Sequence, residues 1–488
     1  MPRRWWTLVA VGLATFMTYL DNNVINVAIP TIQRDLHLSV VGLEWVVSSY
    51  ILVFAGLLLA GGRLADVYGR RRFFVAGLSI FTLSSLAAGL AGSGGALIAA
   101  RLFQGLGAAL LVPATLAIIM ATFDSARERV AAIGAVSAIG ALALGLGPLI
   151  GGLISQHLHW GWIFFINVPI GVVTLGITLF SVRESRGSGA GRIDVPGLVA
   201  SAIALFALTY ALIEGHDKGW TSGLIVASFA VAAAAAALFL LIEGRSQHPM
   251  ISLPLFRSAA FSGGTVTMML WAFGVFGIYF FTSLYLQDIL GFSPTKAGLA
   301  FVPMALCIAV SAVLAQSVSA RLRPYRTVAL GMLIMAGGLV LFARLGQGAT
   351  FAGLMPGFVV FGTGAGLMQV PLTNAVLHAM PPSRSGVASA VFNASREVAG
   401  LLGITIIGAI LRSRQGDALH HGTAPAPAFL DGYHAGLIVT IGLVAVGAVV
   451  SYLSLRRAPD LTASEAAGTH ELTETPAADE QPVTVSQA

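Results

Sequence analysis

Few residues in this chain are able to do chemistry, and those that can stand where charge is expensive. Asp21 lies 16 residues beyond Trp5 in one apolar run, and Arg101 lies 5 residues beyond Ala96 in another. A charge at the centre of a bilayer costs about 2.5–3.5 kcal/mol on insertion scales, so an intramembrane ionisable group is a functional candidate by default. If the runs are antiparallel helices rising about 1.5 Å per residue, both groups fall in the outer half of their spans and share a depth. Gln104 sits one turn from Arg101 on the same helix face. The chemistry this arrangement offers is proton exchange. A carboxyl group held out of water can keep a proton, and an approaching guanidinium displaces it. A fixed structural ion pair, or an aspartate snorkelling to the outer surface, is the competing reading.

A second constellation lies in a later run. Arg396 and Glu397 fall near mid-depth, with Asn393 one turn before Glu397. Adjacent helical residues point about 100° apart, so the two need not pair. Glu397 is then a candidate for a cationic cargo or a second proton, with polar packing between helices equally open. Candidate cavity residues are Asn23 and Asn26 beside Asp21, Gln104, Asn393 and Arg396. Trp271, Phe273 and Phe276 are aromatic candidates, although such a stripe more ordinarily packs or faces lipid. The segment GRLADVYGRRR holds Gly62, Asp66, Gly69 and Arg70. A tight turn there needs a glycine, and Asp66 is expected near the start of the following helix, where the dipole favours an anion. The run GAVSAIGALALGLGPLIGG carries Gly145, Gly147, Pro148, Gly151 and Gly152, a pattern that allows close packing and a kink. A passive packing face is the plainer reading; a moving contact between helices is the one expected. No metal-ligand spacing, phosphate-cradling loop or nucleophile–base set is visible, which argues against an enzyme and against any cofactor.

These residues need helices to position them. The chain has 488 residues, of which 56% are hydrophobic and 10% charged. A soluble protein carries about 25% charged residues, so most of this surface must face lipid. The net charge of +6 raises the question of nucleic acid, but the placement of the charges answers it. Fourteen apolar runs are long enough to span, from residues 5–28 and 45–61 through to 387–411 and 436–455. With both termini in the cytoplasm, 19 Lys and Arg fall on inner segments, 6 on outer segments (Arg412 among them) and two within spans. That is the positive-inside bias of a multi-pass plasma-membrane protein. The expected organisation is all-α: a six-helix bundle over 1–186, two inserted helices over 187–250, a second six-helix bundle over 251–457, and an acidic, disordered cytoplasmic tail over 458–488. A single cysteine, Cys307, excludes a disulfide framework within the chain.

Four segments in order carry a family resemblance: LDNNVINVAIP at 20–30, GGRLADVYGRRR at 61–72, RLFQGLGAA at 101–109 and GLGPLIGG at 145–152. Together they resemble the major facilitator superfamily, and within it the fourteen-span drug:proton antiporters, over nearly the whole chain. Asn23 stands where that family commonly has Thr, and Val67 where it often has Arg. The resemblance implies a rocker-switch fold, proton coupling through Asp21 and Arg101, and a cytoplasmic gate locked by Asp66 and Arg70 with Asp124. It further implies that the span-5 glycines favour antiport over symport. The expected function is export of small amphipathic compounds, driven by the proton gradient, by a monomer in a bacterial cell membrane. A proton symporter importing a small metabolite is the alternative. A non-transporting sensor or scaffold is the alternative of another class, and it gives no reason for paired intramembrane charges.

Overall fold

Among the described residues, fourteen helices long and apolar enough to cross a bilayer account for the fourteen apolar runs. The computed structural model describes residues 3–123, 125–187, 194–246, 249–251, 253–380 and 385–456. Asp124 and the expected disordered tail over 458–488 lie outside the described residues. The first bundle holds α1 (Arg3–Leu36), α2 (Val40–Tyr68), α3 (Arg70–Gly89), α4 (Gly94–Thr122), α5 (Ala126–His157) and α6 (Trp162–Ser181, interrupted at Ile166). The inserted pair is α7 (Val195–Lys218) and α8 (Gly223–Arg245). The second bundle holds α9 (Ala259–Leu284, continued by a π turn over Tyr285–Ile289), α10 (Pro294–Leu322), α11 (Pro324–Phe342), α12 (Phe351–His378), α13 (Ser385–His420) and α14 (Pro425–Leu455).

The helix starts follow from local chemistry. Ser39, Ser93, Ser125, Asp194, Ser258, Ser293 and Thr350 each cap a helix by accepting from a backbone N–H of its first turn. Such caps satisfy groups that lipid cannot. Gly69 makes the turn between α2 and α3 at φ +124°, which side-chain-bearing residues rarely adopt. Apolar side chains point outward as well as inward: Val313 is 77% and Leu90 70% exposed. In water these would be liabilities; against lipid they are the expected outer surface.

Within the first bundle α4 packs on α2 and α3, and α1 on α5 and α6; in the second, α12 packs on α10 and α11, and α14 on α9, α11 and α13. The halves meet along two seams, α2 with α13 and α5 with α10. Helix α7 lies against both α2 and α13, and so straddles one seam, while α8 packs chiefly on α7.

Two boundaries correct the sequence reading. α2 begins at Val40 rather than Trp45, and α13 runs on to His420 rather than stopping at Leu411. Glu44 and Arg412 are therefore helical and buried, not in outer segments. A hydropathy run ends at the first charge, but a helix continues where that charge finds a buried partner.

Candidate functional site

Asp21 lies on α1 with no exposed surface. Its Oδ2 accepts from Arg101 Nη1 of α4 at 2.5 Å. Its Oδ1 accepts from Gln104 Nε2 at 2.8 Å and from Asn167 Nδ2 of α6 at 2.9 Å. Gln104 Nε2 also donates to Ser85 Oγ of α3, and Gln104 Oε1 accepts from Arg101 Nη1 at 2.8 Å. Arg101 Nε donates to the Val46 carbonyl of α2. The guanidinium lies 4.3 Å from the centroid of the Tyr50 ring, a cation–π distance. The expected partnership of Asp21 and Arg101 is thus a direct contact, and five helices of one bundle converge on it. Such a network orders a single arrangement when its members are satisfied.

Beside this network, between the halves, lies a cavity of about 1100 Å³, counting the open solvent at its mouth. Its walls include Tyr19, Asn22, Asn23 and Asn26 of α1, Tyr50 and Phe54 of α2, Trp271, Phe276 and Tyr279 of α9, Gln369 of α12, and Arg396 and Glu397 of α13. Aromatic walls with a few polar groups are the usual make-up of a small-molecule site. Arg396 Nη2 donates to Glu397 Oε1 at 2.6 Å, and Tyr19 faces the pair from α1. Helical spacing leaves the pairing of these neighbours open, and the long Arg396 side chain reaches round the helix to the adjacent carboxylate.

Of the expected cavity residues, Asn23, Asn26, Trp271, Phe276 and Arg396 are in place. Gln104, Phe273 and Asn393 are not. Gln104 is fully buried on Asp21. Phe273 turns away, and Gly403 packs against its backbone. Asn393 Nδ2 donates back to the Ser389 carbonyl on its own helix. Sequence reasoning missed Tyr50, Asn167, Ser85 and Gln369. They carry no charge, and polar neutral residues are common enough in spans that none stood out.

The α5 glycines form a contact face rather than a free surface. Gly147 and Gly151 press on Asn23 and Val24 of α1, while Gly152 and the carbonyl of Pro148 meet Pro294 and Gly298 of α10. Gly145 looks across to Ala305 of α10. A side chain at Gly151 or Gly152 would collide with backbone, so this seam needs glycine. Nearby, Thr295 of α10 bonds to Gln156 and to the Gly152 carbonyl, and Gln287 of α9 donates to the Val27 carbonyl. On the other seam, Arg412 of α13 pairs with Glu44 of α2 and donates to the Leu212 and Ile213 carbonyls of α7. The Thr295 and Gln287 hydrogen bonds and the Arg412–Glu44 ion pair all lie at the Glu44 end, which is therefore closed.

At the opposite, basic end, Arg70 pairs with Asp66 at 2.8 Å and reaches the Ala117 carbonyl of α4. Gly62 packs on Pro113 of α4. Asp66 belongs to the last turns of α2, not to the start of α3 as expected. The anion at the α3 N-terminus is Glu184, whose carboxylate accepts from the Arg71 and Arg72 N–H groups. It also fills the space beside Gly69, where a Cβ would come within 2.8 Å of it. Among the described residues no cluster of His, Cys, Asp and Glu is placed to hold a metal.

The Major Facilitator Superfamily pattern matches residues 11–404. The puromycin resistance protein pur8 of Streptomyces alboniger is 34% identical over 460 residues, covering 93% of this chain and 91% of that one. The tetracenomycin C resistance and export protein of Streptomyces glaucescens is 35% identical over 420 residues, 85% and 77% of the two chains. A solved bacterial homolog of the human lysosomal transporter Spinster superposes with a TM-score of 0.66 at 18% identity, covering 93% of this chain and 98% of that one. That likeness shows the fold.

Proposed function

The chain belongs to the Major Facilitator Superfamily and is a multi-pass membrane transport protein, not an enzyme; from that premise we propose that it exports small amphipathic drugs or antibiotics across the plasma membrane in exchange for protons. The names of its relatives, a resistance protein and an export protein, favour efflux over uptake. The observation that carries the exchange reading is the sealed Asp21–Arg101 network one side chain away from an aromatic cavity between the halves.

In this reading the basic end faces the cytoplasm, and the closed Glu44 end makes the structure an inward-facing one. Cargo enters the cavity as Asp21 gives up its proton to the cytoplasmic side and ionises against Arg101. The halves then rock about α5 and α10, and cargo leaves outward. Asp21 next takes a proton from the outside, its bond to Arg101 breaks, and the neutral carboxyl group permits return. The proton is released inward when Arg101 reclaims the carboxylate. The glycine seam supports this reading because two smooth backbones can slide where interlocked side chains cannot. Asp66, Arg70 and the Glu184 cap brace the basic end, with Asp124 as a further gate candidate.

Everted vesicles carrying a preformed proton gradient, acid inside, test the exchange. Adding an amphipathic drug such as puromycin or tetracenomycin C should partly dissipate the gradient in vesicles containing the protein and not in empty ones. A gradient indifferent to every drug in a broad panel would refute the exchange.

A further inference from the structure

Asp21 does not line the cavity, so cargo and proton cannot compete by touching the same carboxylate. The side chain that touches both compartments is Tyr50. One face of its environment is the cavity wall, beside Phe54. On the other, the Arg101 guanidinium lies 4.3 Å from the ring centroid. Arg101 Nη2 is buried and has no hydrogen-bond partner. The π cloud therefore substitutes for an acceptor on that part of the cation. Arg101 Nε is held by the carbonyl of Val46, one turn before Tyr50 on α2. The Tyr50 hydroxyl has only a long contact, 3.5 Å, with Asn22. The ring, not the hydroxyl, is thus the part of Tyr50 that is engaged.

We propose that Tyr50 is the positioning residue that makes cargo and proton mutually exclusive, with its ring relaying cavity occupancy to Arg101. The inference rests on the exchange reading above. An occupant of the cavity presses the ring onto the guanidinium and pins it on Asp21, so that any proton on the carboxyl oxygen leaves to water as the ion pair forms. An empty cavity lets the ring swing towards the vacated space. The guanidinium then loses its π face, the pair loosens, and Asp21 binds a proton. The charged groups involved are few: Arg101 is the charged side chain in contact with Asp21, and Glu397, paired with Arg396, faces the site across the cavity. Gln104, Asn167 and Ser85 complete the shell without charge.

The test replaces Tyr50 by phenylalanine and then by phenylalanines of increasing ring fluorination, which drain the π face with little change of shape. Purified protein in weakly buffered nanodiscs is given puromycin, tetracenomycin C or ethidium, and drug binding and proton release are measured together. Tyr50→Phe should release as many protons per drug bound as the wild type. Release should fall stepwise with fluorination, by about tenfold at full fluorination, while drug affinity stays within about threefold. Tyr50→Leu should behave like the fully fluorinated ring. Proton release that is flat across the fluorinated series overturns the relay, as does a Tyr50→Phe loss equal to that of Tyr50→Leu. A wild type that binds drug without releasing protons overturns the exchange reading instead, so the two failures are distinguishable.

Discussion

Two arginine–carboxylate pairs lie near the middle of this molecule, one in each bundle, and they are built differently. Asp21–Arg101 joins two helices, is wholly buried and is wrapped by Gln104, Asn167, Ser85 and the Tyr50 ring. Arg396–Glu397 joins neighbours on one helix, and both members face the cavity. A buried pair whose partners come from separate helices reports on how those helices sit, because moving either helix breaks it. A pair within one helix survives any rigid movement of that helix. The first therefore suits coupling a proton to a conformational change. The second suits presenting a locally neutral but polar patch to cargo.

The largest effect expected from this contrast belongs to Asp21→Asn. The amide keeps one accepting oxygen for these donors but cannot exchange a proton, so drug-driven proton movement in everted vesicles should drop to the empty-vesicle level. A fall of about 100-fold corresponds to about 2.7 kcal/mol. Undiminished coupling in that variant would remove Asp21 from the mechanism. Glu397→Gln comes next and should act on selectivity. It leaves Arg396 as an uncompensated cation in the cavity wall, which should weaken cationic drugs against neutral ones by roughly tenfold, or about 1.4 kcal/mol. Competition assays with ethidium and a neutral drug measure that ratio. If Glu397→Gln abolished coupling as completely as Asp21→Asn, the distinction between the two pairs would collapse. Phe273→Leu should do least. Its ring faces away from the cavity, so drug selectivity should stay unchanged, while the loss of buried ring volume should lower stability by about 1–2 kcal/mol in thermal melts. A selectivity change there as large as for Glu397→Gln would redraw the cavity wall.

Much of this was legible in the sequence, for identifiable reasons. Fourteen spans could be counted because lipid demands long apolar stretches, and Asp21 and Arg101 stood out because charge within such stretches is rare. Helical spacing placed Gln104 on the face of Arg101 correctly. It could not say that this face meets Asp21 rather than the cavity, because a helix face names no neighbour. Phe273 and Phe276 illustrate the same limit one turn apart. Glu44 and Arg412 were hidden because a charge at the edge of an apolar run looks like the start of a loop. Asp66 was assigned to the wrong helix because the turn at Gly69 comes later than the polar residues suggest. The α5 glycines were legible as a motif, but the seam they form with Pro294 and Gly298 is a tertiary fact.

One consequence concerns modularity. Arg412 donates not only to Glu44 but also to the Leu212 and Ile213 carbonyls in the last turns of α7, and Trp45, beside Glu44, donates to Glu214, the next residue. The first of the two extra helices is thus stitched into the seam at its closed end. A splice that removed residues 187–250 and joined the six-helix halves directly would strip acceptors from a buried guanidinium, whose desolvation is then only partly compensated. The intermediate hairpin is accordingly not a detachable accessory: its first helix holds the outer end of the α2–α13 seam together.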